Sequence, residues 1–532
     1  MLIALLLAAC EPAPDPAAET PLRGDAPAVS PSVPVLKRLT LAQYGNSIHD
    51  LLGDELLVST RLEPDAAVEG LVQLGAAVNA LSSYGVDQYE ATAYDVLEQV
   101  MASESLRARL VPCTPSATRD DACARTALSA FGRRAWRRPL STAETDRLVE
   151  VAGVGADTLG DFHEGLVYGA AAVLQSPNFG YRVELGEDDG AGGRRYTDWE
   201  MATRVSYFLW NTTPDDELLA AAEAGELTTG AGLAAQVDRL LADERAREGL
   251  RTFFTDMLLL YELDSLNKDP NVFVHMSSEV GPSAREETLQ GLDWLAFEDE
   301  GDYRDIFTTR TTFLDRKLAA VYGVPAHARE GFAMTELPDD GRRRGLLGQL
   351  SFLALQAHPA GTSVTRRGLF VREVLLCQPM APPPAGLNTA IPEATEDAPT
   401  MRDRVEQHLS DPSCAQCHQF TDLIGLGLEN FDGLGVWREE ENGVVIDPSG
   451  DVDGAPFADA WGLAGLLRDH PDTGPCFAKT LFQYANGQIL EVGEVELLDW
   501  HSQGFEEAGH RVKFLLRDVA TSPGFRQAGE IE

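Results

Sequence analysis

The ten residues DPSCAQCHQF, 411–420, set two cysteines three apart with a histidine directly behind the second. Three chemistries use that spacing, and each needs different surroundings. A zinc site needs a fourth ligand and usually a second C-x-x-C or H-x-x-x-H pair. The chain has neither, and Cys476 or His470 would be distant completions without a pattern. A redox dithiol wants C-x-x-C at the start of a helix behind a strand in an α/β unit, and no such unit surrounds residue 414. Covalent haem attachment fits the string itself. On a helix, positions i and i+3 share a face, so two sulfurs reach one macrocycle, and the histidine at i+4 comes under the iron. From composition alone, C-x-x-C-H is expected roughly 0.002 times in such a chain. The segment therefore predicts one covalent haem c held by Cys414, Cys417 and His418, with His418 as proximal iron ligand. Asp411, Pro412 and Ser413 suit the start of that helix.

Working outward, the periodicity is helical almost everywhere and alternating strands are scarce. Thr40 caps a helix with Leu41, Tyr44, Ile48, Leu51 and Leu52 on one face and Gly53 as its stop. Ser141 with Glu144, Thr197 with Glu200, and Ser283 with Glu286 have capping-box spacing. Thr213, followed by Pro214, reads as another cap. The expected fold class is mostly α: a multidomain helical protein with a cytochrome c-like haem-bearing segment. Irregular stretches at 185–196, 335–343, 379–400 and 440–458 mark boundaries. The resulting modules are 36–112, 113–189, 190–335, 343–440 (haem c-bearing) and 455–530, with no solenoid period.

With 532 residues, 44% hydrophobic and 24% charged, the chain is globular and too long for one core. The net charge of −41 repels a phosphate backbone, which excludes nucleic acid as a partner. A basic redox partner could be steered to such a surface. Residues 1–10 end Leu7-Ala8-Ala9-Cys10, similar to a bacterial lipobox, although no Lys or Arg precedes it. The expectation is a lipoprotein signal peptide cleaved before Cys10, a lipid on its thiol, and a Pro/Ala-rich tether over 11–35. That predicts an extracytoplasmic protein, lipid-anchored to the outer membrane or cell surface. In an oxidising compartment the remaining cysteines pair: Cys113 with Cys123 across a short polar loop, and Cys377 with Cys476 by arithmetic.

Several strings also resemble a known family. CAQCHQFTDLIGLGLENFDGLGVWR (414–438) is similar to the haem-bearing segment of large secreted proteins of planctomycetes and myxobacteria. Those are strings of domains of unknown function, called planctomycete-type cytochrome c proteins. LKRLTLAQYGNSIHDLLG (36–53) resembles their opening module, and FGRRAWRRPLSTAETDRL (131–148) the next. LQSPNFGYRVEL (174–185), VSYFLWNTTPDDELL (205–219) and TFLDRKLAAVYGV (312–324) resemble the central module. The stretch 345–384 leads into the haem segment, and 477–490 with 515–526 resembles the closing module. The resemblance implies an exported haem protein and no known reaction.

The sixth iron ligand separates electron transfer from chemistry at the iron. No methionine follows Met401. Downstream histidines are His470, His501 and His510; candidates upstream of the motif are His358, Met380, Met401 and His408, with His358 and Met380 preferred as the adjoining module carries them, and an open or water-bound position is the other main option. Arg366 and Arg367 are candidates to pair with haem propionates. Asp422, Glu429, Asn430 and Asp432 read as turn caps. Asp451 and Asp453 hint at a calcium loop whose register fails at Ala460, so a plain Asp/Gly turn is expected. RRAWRRP (133–139) is expected to pair with the protein's own acids. The leading function is one-electron transfer in an extracytoplasmic oxidation pathway, with an unidentified redox partner. The alternatives are a haem-dependent oxidoreductase of peroxidase or oxygenase type, and a surface scaffold or binding module.

Overall fold

Helix starts in the computed structural model follow local chemistry where the partners are local. Thr40 accepts from the Gln43 N–H, and Gln43 answers to the Thr40 N–H, opening Leu41–Leu52. This satisfies two donors that the first turn leaves orphaned. Tyr44, Ile48, Leu51 and Leu52 form its buried stripe, and Gly53 ends it at φ 141°. Ser141 with Glu144 opens Thr142–Leu159, and Thr197 with Glu200 opens Asp198–Leu209, in the same way. Two starts differ from the sequence reading. Asp215, not Thr213, caps Asp216–Glu223, and Thr213 donates to the Arg134 carbonyl. The helix read as opening at Ser283 already runs from Val280 to Asp293, and Ser283 donates to Asp315 from inside it. Both hydroxyls were claimed by distant partners, which a local pattern does not register.

The structure describes residues 25–59, 61–190, 193–381, 391–410 and 412–530, without the side chains of 413 and 417. It is mostly helical. The strands are two to four residues long and antiparallel. Lys37–Arg38 pairs with Tyr181–Arg182. Gln527–Ala528, Arg194–Arg195 and Glu187–Asp188 make three strands. Thr311–Leu314 pairs with Ala333–Glu336, Glu440–Glu441 with Val444–Val445, and Gly450–Val452 with Ala455–Phe457.

The buried apolar residues form two large clusters and a small one. The first joins Leu39 to Phe179, with Tyr207 added, so the helices Leu41–Leu52, Ser83–Ala102, Asp121–Ala135, Thr142–Leu159 and Phe162–Leu174 share it. The second runs from Leu71 and Tyr196 to Ala528 and draws most of its members from the C-terminal two thirds of the chain. The third, Val364, Val405 and Leu426, lies under the CAQCH helix. Successive modules thus pool their apolar faces.

A buried ionic joint links the two halves. Glu184, fully buried, accepts from Lys37 Nζ at 3.0 Å and Arg204 Nη1 at 2.7 Å, and lies 3.3 Å from Arg182 Nε. Burial pushes its pKa up, but Arg182, Lys37 and Arg204 outweigh that and hold it below the usual carboxylate range. Two disulfides, Cys113–Cys123 and Cys377–Cys476, add covalent ties. Cys10 and residues 11–24 lie outside the described residues. Residues 25–35, expected as tether, run along the C-terminal helices: Ser30 N–H donates to the Gly493 carbonyl, Gln488 to the Val33 carbonyl, and Val29 packs on the large core. Among the described residues no helix is long and apolar enough to cross a membrane.

Candidate functional site

Cys414, Cys417 and His418 lie on one helix, Pro412–Leu426. Pro412 at the first position costs no hydrogen bond, because that N–H would be orphaned anyway. Cys414 is a half-buried free thiol; the Cys417 side chain and Asp411 lie outside the described residues. The helix is held on one flank by Val364–Phe370. A Cβ on Gly368 would overlap the carbonyl of Thr421, and one on Gly425 that of Val364. The two backbones touch because each offers a glycine to the other. Val364–Phe370 runs on into a π-helical turn, Val371–Leu375, from which Arg372 donates to the Phe420 carbonyl (3.1 Å) and pairs with Asp453 (2.7 Å). The other flank is Met401–Leu409. Its His408, buried, sets its ring edge-on to His418 with centroids 4.5 Å apart.

His418 is 13% exposed, and its Nδ1 lies 2.9 Å from Oδ2 of Asp422, which is wholly buried. Oδ1 of Asp422 accepts from the Thr421 hydroxyl at 3.0 Å, and the Thr365 hydroxyl stands 3.4 Å from the same Nδ1. The hydrogen bond to Asp422 raises the imidazole pKa, against burial. In this pair Nδ1 of His418 faces the carboxylate, which leaves Nε2 as the ring nitrogen turned away from Asp422. The sequence reading gave Asp422 a turn-capping role. Its place at i+4 from His418, one turn along the same face, is the signal for the other role.

The remaining candidates separate. Arg367 is fully buried and donates to the carbonyls of Leu428 (2.8 Å), Phe431 (3.1 Å) and Asp432 (2.8 Å), with Glu429 at 3.5 Å. It is spent inside the core and is not free for a propionate. Arg366 is exposed, with one long contact to the Ala357 carbonyl (3.4 Å). His358 is exposed; burial, Arg366 and Lys268 lower its pKa, and its carbonyl accepts from Lys268 Nζ at 3.0 Å. Met380 is half-buried, its N–H on Glu373 at 3.2 Å. Among the described residues, neither His358 nor Met380 makes a hydrogen bond or ring contact with His418. Asp432 Oδ1 collects the N–H groups of Leu434, Gly435 and Val436, a turn cap. Asp453 and Gly454, both at positive φ, turn a hairpin. Of the basic run, Arg133 pairs with Glu223 and Arg138 with Glu144, while Arg137 is buried under backbone carbonyls.

The fold defines a mostly helical, multidomain protein. Five family models match successive stretches, each described as a protein of unknown function: DUF1587 over residues 37–102, DUF1595 over 123–184 and DUF1592 over 196–324. DUF1588, named PSCyt3, matches 343–441, around CAQCH, and DUF1585 matches 453–525. The chain belongs to the multidomain proteins of planctomycete cytochrome c type built from this set. No curated protein and no solved structure matches it.

Proposed function

We propose that this chain is a c-type haem protein, with the group bonded to Cys414 and Cys417 and ligated by His418, and that it transfers single electrons. The hydrogen bond from His418 to Asp422 carries the reading. A surface histidine has no use for a wholly buried carboxylate one turn away. Metal-ligating histidines commonly have such a partner, which fixes the ring and makes the other nitrogen more basic. The donor set agrees: a free thiol at 414 and an oriented imidazole at 418 on one helix face. When bound, the group supplies an iron centre that cycles by one electron. Arg366 is the guanidinium available to a carboxylate of the group. The charge of −41 favours a basic redox partner. The lipobox-like Leu7-Ala8-Ala9-Cys10 supports a lipid-anchored place outside the cytoplasm, at the outer membrane or cell surface.

The test is expression of the full chain with a c-type maturation system, followed by mass spectrometry and a pyridine haemochrome spectrum. One tetrapyrrole added, with the spectrum of two thioether links, is the expected result. Colourless protein of unmodified mass, or bound zinc without a Soret band, would overturn the reading.

A further inference from the structure

We propose that a cavity beside the closing strand Gln527–Ala528 binds the carboxylate of a small organic acid, with the Arg526 guanidinium as its counter-charge. The cavity has a volume of about 340 Å³ and lies where Gln527–Ala528 pairs with Arg194–Arg195. That is the small end of the range for ligand pockets. The backbone around it is fixed, because the Tyr196 N–H donates to the Arg526 carbonyl at 2.9 Å. Met201, from the helix Asp198–Leu209, and Pro523 supply an apolar wall.

The polar lining is short of an acceptor. Among the described residues the Arg526 side chain makes no hydrogen bond and no ion pair, and its Nε is shut off from solvent. A plain surface arginine keeps its donors in water, whereas a buried donor without a partner costs free energy that an acceptor would recover. Burial lowers the Arg526 pKa, with no acid opposing it. The chain has 84 acids to 43 basic residues, so an arginine without an acid is not explained by a shortage of acids. Its Nη1 lies 4.0 Å from the place a Cβ on Gly230 would take, at the start of the helix Gly230–Ala242. A helix start carries partial positive charge, so the guanidinium is repelled there unless an anion joins them. Tyr196 is 4% exposed, yet its hydroxyl makes no hydrogen bond among the described residues. The Gln527 amide lines the same space and also lacks a partner among them.

The other charges nearby are spoken for. Asp189 accepts the Gly193 N–H at 3.0 Å, and Arg195 stands 3.4 Å from Glu187. Asp198 collects the N–H groups of Leu227 and Thr228. One guanidinium is left over, which matches one negative charge. A carboxylate fits that count, and a phosphate dianion exceeds it. The planar fork takes a carboxylate through two parallel hydrogen bonds. Met201, Pro523 and the Tyr196 ring then cover the hydrocarbon part of the acid.

The experiment is calorimetric titration of the full-length protein with benzoate and hexanoate, each beside its uncharged amide, and with inorganic phosphate. The expected wild type binds at least one of the two acids saturably, and binds the matching amide at least about tenfold more weakly. Arg526→Gln should weaken the acid by about tenfold or more and bring acid and amide together. Tyr196→Phe should weaken the acid less, with the melting temperature kept. No saturable binding of either acid, equal binding of acid and amide, or an affinity unchanged in Arg526→Gln would each overturn the proposal. Phosphate bound more tightly than both acids would overturn the choice of a carboxylate. If Arg526→Gln does not fold, Tyr196→Phe and the comparison of acid with amide decide. The titration is independent of the haem, which the pyridine haemochrome registers separately.

Discussion

Nδ1 of His418 and Oδ2 of Asp422 stand 2.9 Å apart on one helix, with the carboxylate shut off from water. An anion behind an iron-bound imidazole favours the more positive, ferric state. Asp422→Asn keeps the shape and removes the charge. In the matured protein it should raise the reduction potential by about 60 mV for each ~1.4 kcal/mol of lost preference, in a one-electron couple. Potentiometric titration reads this. A potential that stays put or falls would refute the role given to Asp422.

Gly368 and Gly425 let two helix backbones meet where a Cβ would overlap a carbonyl oxygen. Backbone does not yield as a side chain end does. Gly425→Ala should therefore cost about 3 kcal/mol, the upper part of the overpacking range, and loosen the Thr365–His418 contact. Denaturant unfolding measures the first effect. A loss below about 0.5 kcal/mol would mean that the helices simply slide apart.

Asp256 faces the N-terminal module from the helix Arg245–Met257, accepting the Val72 N–H at 3.1 Å. Burial pushes its pKa to about 7, with the backbone hydrogen bonds opposing. Unfolded, it titrates near 3.8. Between those values the folded chain holds a proton that the unfolded chain has released. Stability from this group is therefore present at low pH and lost as pH rises toward 7. Asp256→Asn should melt higher than wild type at pH 8, and the gap should shrink by a few kcal/mol at pH 5. Melting curves at the two pH values check it, and a pH-independent gap would count against it.

Glu184 is the acid that pairs with Lys37, Arg182 and Arg204, all buried. Glu184→Gln would leave three cations without their counter-charge in the interior. The expected loss is about 3–5 kcal/mol. Equilibrium unfolding of the purified variant tests this, and near-wild-type stability would show that water or rearrangement compensates.

Thr40, Ser141 and Thr197 were legible as helix starts because each cap and its partner are three residues apart. Thr213 and Ser283 were misread because Arg134 and Asp315 claimed their hydroxyls from far along the chain. Segment order was readable from strings of residues. The sharing of cores was not, since nothing in Leu39 or Phe179 announces that they meet in one cluster. At the site, the spacing of 414, 417 and 418 implied one helix, and the structure has it. Arg367 was read as a candidate for a haem propionate because an arginine string carries no sign of burial, and its partners are carbonyls at 428–432. His408 stood among four upstream candidates, and its ring contact with His418 depends on how Met401–Leu409 packs against the CAQCH helix, which no local pattern registers.

The bond between Cys377 and Cys476 makes a closed ring of the residues between them, and the whole CAQCH helix is threaded on that ring. A protease that cuts once anywhere between 378 and 475 releases nothing. The two fragments still migrate as one species on a denaturing gel until a reductant is added, and whatever is attached at 414 stays joined to both halves until then.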